Sequence, residues 1–108
     1  MQNTSLTKLV DEQLQLARHA PSGRSAHTVY GGHEHSLRQT LIALANGRQL
    51  DEHESPGEAT ILVLHGRVCL QAGEQSWDGE TGDLLIVPDS RHALFANEDA
   101  AVLLTVAI

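Results

Sequence analysis

The chain has 108 residues, 41% hydrophobic and 19% charged, with fourteen Asp and Glu against seven Lys and Arg for a formal charge of -7. That length holds one domain with its own core and leaves no room for a second, and the apolar content excludes a disordered chain. The acidic excess, the scattered basic residues and an aromatic set of Trp77, Tyr30 and Phe95 exclude a nucleic-acid backbone as the expected partner; no apolar run approaches the roughly 18 residues of a membrane span.

The opening segment, MQNTSLTKLVDEQLQLARHA, interleaves charged and apolar residues where a secretory signal would have a basic head and an unbroken apolar stretch, so cytoplasmic residence is expected. From Ser5 to about His19, apolar residues at Leu6, Leu9, Val10, Leu14 and Ala17 predict an amphipathic helix, with Thr4 or Ser5 as N-cap. Pro21, Ser22 and Gly23 stop it. Residues 1–26 are read as helix and connector, and residues 27–108 as the main domain.

Beyond Ala26 the pattern changes to short apolar runs: Leu37 to Ala45, Arg48 to Glu54, Glu58 to His65, Val68 to Ala72, Leu84 to Val87, His92 to Ala96 and Ala101 to Ile108. Turn signals separate them at Asn46-Gly47, Ser55-Pro56-Gly57, Ala72-Gly73-Glu74, Asp78-Gly79, Thr81-Gly82-Asp83 and Asn97-Glu98-Asp99. This spacing predicts an all-β sandwich or barrel, and the gaps are too short for the crossover helices of a parallel sheet. Runs such as ATILVLH and DLLIVP are apolar at both parities, so each strand should have one face inside and the other covered by a second sheet, the helix or a partner chain. A homodimer is therefore expected, with a lined cavity for a small molecule. Cys69, the single cysteine, can form no internal disulfide and reads as a packed strand residue.

Gly47, His53, Glu58 and Gly66, followed by Gly82, Pro88, His92 and Asn97, resemble the two signatures of the cupins in order. The resemblance covers roughly Leu37 to Ile108 and is similar to small single-domain members of the RmlC-like, cupin 2 conserved-barrel type. It implies a cupin-type jelly-roll β-barrel, preceded here by the amphipathic helix, and usually a dimer. In metal-binding cupins two histidines and a glutamate of the first signature and a histidine of the second hold manganese, iron, nickel, zinc or copper. The chain departs from that pattern at Ser55, where the second histidine would stand, and in the Pro88 to His92 loop, one residue shorter than usual with Ser90 near a customary glycine.

Strand alternation places Glu58 on one face with Thr60, Leu62 and Leu64, and His65 on the other with Ala59, Ile61 and Val63. His53 and Glu58 flank the Ser55-Pro56-Gly57 turn, and His92 is expected to meet them from another strand. Convergence would give two imidazoles and one carboxylate with open positions, suited to iron, manganese, nickel or zinc. Glu58 would be a ligand or, without metal, a general base. His35 and Gln39, in YGGHEHSLRQT, are additional candidate ligands, and Arg91 has the opposite parity from His92. The competing reading makes His53 and His92 hydrogen-bonded barrel residues and Glu58 a solvated carboxylate. In function, a metal-dependent dioxygenase, isomerase or lyase stands beside a non-catalytic, metal-free ligand-binding or sensing module.

Overall fold

The computed structural model describes residues 3–54 and 57–108, with His53 through its backbone alone; Ser55 and Pro56, and with them the expected departure at Ser55, lie outside the described residues. The elements in order are α1 (Leu6–His19), β1 (Arg24–Tyr30), β2 (Leu37–Leu44), β3 (Gln49–His53), β4 (Glu58–His65), β5 (Arg67–Ala72), β6 (Gln75–Glu80), β7 (Leu84–Ile86), β8 (His92–Ala96) and β9 (Ala100–Ala107). Ser5 caps the helix by accepting the Lys8 amide at 3.3 Å, which satisfies one of the donors left open at a helix start.

The strands form two antiparallel layers: a five-stranded sheet in the order β1-β2-β9-β4-β7 and a four-stranded sheet in the order β3-β8-β5-β6. The expected closed barrel is corrected here to an open sandwich, because among the described residues no ladder joins the two sheets. The edge strands explain it. β7 is three residues long and β3 carries a bulge, so neither presents the long regular row of N–H and C=O groups that closure would pair.

The space between the sheets is filled by one face of each strand, including Ile42, Leu44, Ala59, Ile61, Val63, Leu70, Leu94 and Val102. The opposite face of the five-stranded sheet supplies Leu41, Ala43 and Ala101, which pack under Val10, Leu14 and Ala17 of α1. β2 and β9 therefore have an inner face in the sandwich and an outer face under the helix. Leu84 and Ile86, 57% and 71% exposed, share the Thr60 face of the same sheet.

Two strands were not legible beforehand. β1 begins at Arg24, inside the segment read as connector, and its outward Ser25 hydroxyl lies 2.7 Å from Oε1 of the buried Gln13, tying strand to helix. Asp78-Gly79, read as a turn, lies within β6. A Cβ at Gly79 would stand 3.1 Å from Leu85 Cδ1 and 3.2 Å from Val63 Cγ2, so the missing side chain lets β6 approach the facing sheet.

Asp99 joins three parts of the molecule, accepting from Arg18 Nε of the helix at 2.6 Å and from the Asn46 amide at 2.8 Å. The Arg18 hydrogen bond first, and then the Asn46 amide, hold its carboxyl below the usual range. A depressed folded value means that the stabilisation is present above the unfolded value of about 3.9 and is lost as pH falls through the folded one. Asp99→Asn is expected to lower stability at pH 7 by about 1 kcal/mol, because the pair is partly solvated. In urea melts the gap from wild type should narrow as pH falls below the usual carboxylate range; a gap constant with pH would show that the charge contributes nothing.

Candidate functional site at the β3 and β8 ladder

β3 and β8 pair Leu50 with Leu94 and then His53 with His92, so three steps on β3 match two on β8. The extra residue is a β-bulge within Asp51-Glu52, and it shifts every later position of β3 by one. A regular ladder would set Glu52 opposite His92; the bulge sets His53 there. Leu50 and Leu94 belong to the inner cluster, and His92, two residues from Leu94, lies on the same face.

His92 is 4% exposed. Among the described residues the other buried polar side chain is Gln13, whose burial is accounted for by its bond to Ser25. His92 Nδ1 lies 2.9 Å from the Ser90 carbonyl oxygen. A carbonyl only accepts, so Nδ1 donates. This backbone anchoring is the usual outer support of a metal-binding imidazole.

Beside the ring lies a cavity of about 20 Å³ walled by Ile42, Leu50, Ile61, Leu94, Val102 and Leu104, the size of a single water or ion. A groove of about 250 Å³ along Ser22, Arg24, Ser25 and Ala26 shares Ile42 and Leu50 with it. The edge strands β1 and β3 flank this groove, and Arg24 Nη1 reaches the Gln49 carbonyl across it at 3.4 Å. The groove was missed in the sequence because β1 was missed: RSAHTVY is too polar to register as a buried strand.

Glu58 is placed differently from the expected convergence. It is exposed and stands on the β4 face of Thr60 and of Leu64, which packs in the helix cluster, whereas Ala59 holds the adjacent inward position. There it borders an outer groove of about 540 Å³ with Thr60, Ile86, Asp89 and Thr105. Gln39 also belongs to the outer face and donates from Nε2 to Thr105 Oγ1 at 3.2 Å. His35 is an exposed loop residue, its ring edge-on to Tyr30 at 5.1 Å. The structure thus brings backbone positions 53 and 92 together and leaves Glu58, His35 and Gln39 away from the inner face beside His92. Among the described residues, no group of three or more His, Cys, Asp or Glu gathers as a metal cluster. Of the expected donor set, the described side chains leave His92 alone on the inner face, with the backbone of position 53 opposite it.

Cys69 lies opposite Asp78 in the β5–β6 ladder, and partial burial first, then the Asp78 hydrogen bond, push its thiol up, which suits an unreactive residue. No helix among the described residues is long and apolar enough to cross a membrane.

No family model matches the chain, and no curated protein matches it. Solved structures do. An RmlC-like cupin protein from Desulfovibrio desulfuricans is 22% identical with a TM-score of 0.75, covering 99% of this chain and 96% of its own. A cupin 2 conserved barrel domain protein from Salinispora arenicola is 17% identical at a TM-score of 0.72, over 100% of this chain and 89% of its own. A cupin superfamily protein from Desulfitobacterium hafniense is 22% identical at 0.71, over 79% and 77%. At such identities the likeness is one of fold, and it agrees with the layer order and the two spaced signatures: this chain is a small cupin-fold protein.

Proposed function

We propose that this protein binds a small molecule through the open side of the sandwich, with His53 and His92 as its polar contacts and as donors for a divalent transition metal. The observation that carries this reading is the burial of His92 beside an ion-sized cavity that shares Ile42 and Leu50 with the β1–β3 groove. A core strand position with no task would be apolar, since burying an imidazole costs free energy that a leucine would not. Iron, manganese, nickel and zinc all accept imidazole nitrogen, and such an ion would act as a Lewis acid on an oxygen of the bound molecule. The chain's own contribution is to orient the His92 ring through Ser90, to exclude water with the aliphatic wall and to admit the ligand past Ala26 and Leu50.

The test is elemental analysis of protein purified without an affinity tag, before and after exposure to each of the four ions. The expected result is about one equivalent of one metal per chain, matching a single imidazole pair. Absence of any bound ion after all four exposures would remove the metal and leave the groove as a metal-free ligand site.

A further inference from the structure

The outer side of the same ladder carries a second arrangement. Arg91, immediately before His92, donates from Nε to Glu52 Oε1 at 2.9 Å and from Nη1 to Glu54 Oε1 at 2.9 Å. Those two carboxylates are the residues on either side of His53. One guanidinium therefore spans position 53 from the solvent side, while His92 lies on the inner side.

These contacts are specific to the bulged register. With a regular ladder continuing from Leu50 and Leu94, Glu52 would oppose His92 and take the inner face, and Arg91 would stand opposite His53 with both glutamates on the far side of the sheet. Only the extra residue within Asp51-Glu52 brings both carboxylates to the Arg91 side. Such exposed pairs add little to global stability. Their contribution is to the choice between two registers one residue apart, in a segment with no Gly or Pro to mark the bulge.

We infer that Arg91 is a positioning residue: its fork to Glu52 and Glu54 holds the bulge that sets backbone position 53 opposite His92. The inference rests on the reading above that these two positions carry the site. It adds the residue that assembles them, from the solvent face and without touching ligand.

The experiment compares wild type, Arg91→Gln and the charge-exchanged triple variant Arg91→Glu, Glu52→Arg, Glu54→Arg. Isotope-labelled full-length protein is used, and backbone cross-strand NOEs are read at 50–94 and at 53–92. The expected result is that Arg91→Gln keeps the 50–94 contacts, so the strand is folded, but loses those at 53–92, and that the exchanged variant regains them. Persistence of the 53–92 contacts in Arg91→Gln, or failure of the exchange to restore them, would overturn the inference. Cobalt(II) added to the same samples separates the two ideas. If the 53–92 contacts respond as expected but cobalt affinity does not follow them, the clamp stands and the imidazole pair fails as the metal site.

Discussion

Gly66→Ala is expected to destabilise the protein by at least about 3 kcal/mol, a drop in melting temperature of roughly 12–24 °C for a domain of this size. Gly66 is the single residue between β4 and β5, where the chain leaves the five-stranded sheet and enters the four-stranded one. It makes that corner at φ +88°, a region that costs an L side chain about 1–2 kcal/mol. The larger part is steric. An added Cβ would stand 2.3 Å from the Asp99 carbonyl oxygen and 3.0 Å from Ala100 Cα, both main chain, so a backbone must move. That movement would pull on the Asp99 contacts to Arg18 and Asn46 and on the Gly66 amide, which donates to Thr81 Oγ1 at 2.9 Å. Gly82→Ala is the control, since Gly82 has φ +95° with nothing within 4 Å of the added carbon. It should cost only the conformational part, about 1–2 kcal/mol. Equal losses in the two variants, by urea or thermal melts, would show that the close approach at the sheet-to-sheet corner is not what Gly66 relieves.

Gly66 also illustrates what a reader of the sequence can and cannot recover. Its place in the first signature, and the turn residues at Gly73 and Gly82, were legible because a left-handed backbone leaves a compositional mark. The helix was legible from its apolar stripe, and of the two cap candidates, Thr4 and Ser5, the structure uses Ser5. Strand alternation divided β4 correctly into a Glu58, Thr60, Leu62 and Leu64 face and an Ala59, Ile61 and Val63 face, but His65, expected with the latter, follows a bulge after Val63 that pairs it with Ala101 of the helix-covered face. Nothing local states which face is inner, because α1 makes the outer one apolar as well, and Glu58 was read inward on that ambiguity. The bulge in β3 was hidden for a related reason: one extra residue reverses the parity of everything after it, and Leu50-Asp51-Glu52-His53 carries no residue type that announces it. Closure depends on edge geometry set by the whole sheet, so the open sandwich could not be read from single runs.

His92→Ala is expected to weaken binding of cobalt(II) or zinc(II) by about 100-fold or more, beyond the 10- to 100-fold typical of losing an outer partner of a metal ligand. Because truncating a buried ring also enlarges the neighbouring cavity, loss of binding in this variant alone would not separate chemistry from collapse. His92→Leu makes the separation. Leucine fills the space among Ile42, Leu50, Leu94 and Val102 without a polar atom, and the Ser90 carbonyl it releases belongs to an exposed residue that water can satisfy. Stability should hold or rise by about 0.5–1 kcal/mol while metal binding is lost, the pattern of a group kept for function at some expense to the fold. If instead His92→Leu loses 2 kcal/mol or more, on the order of a disrupted core contact, and binds metal as wild type does, then the imidazole is a packing residue. The buried histidine would then no longer distinguish this end of the sandwich from the rest of the interior.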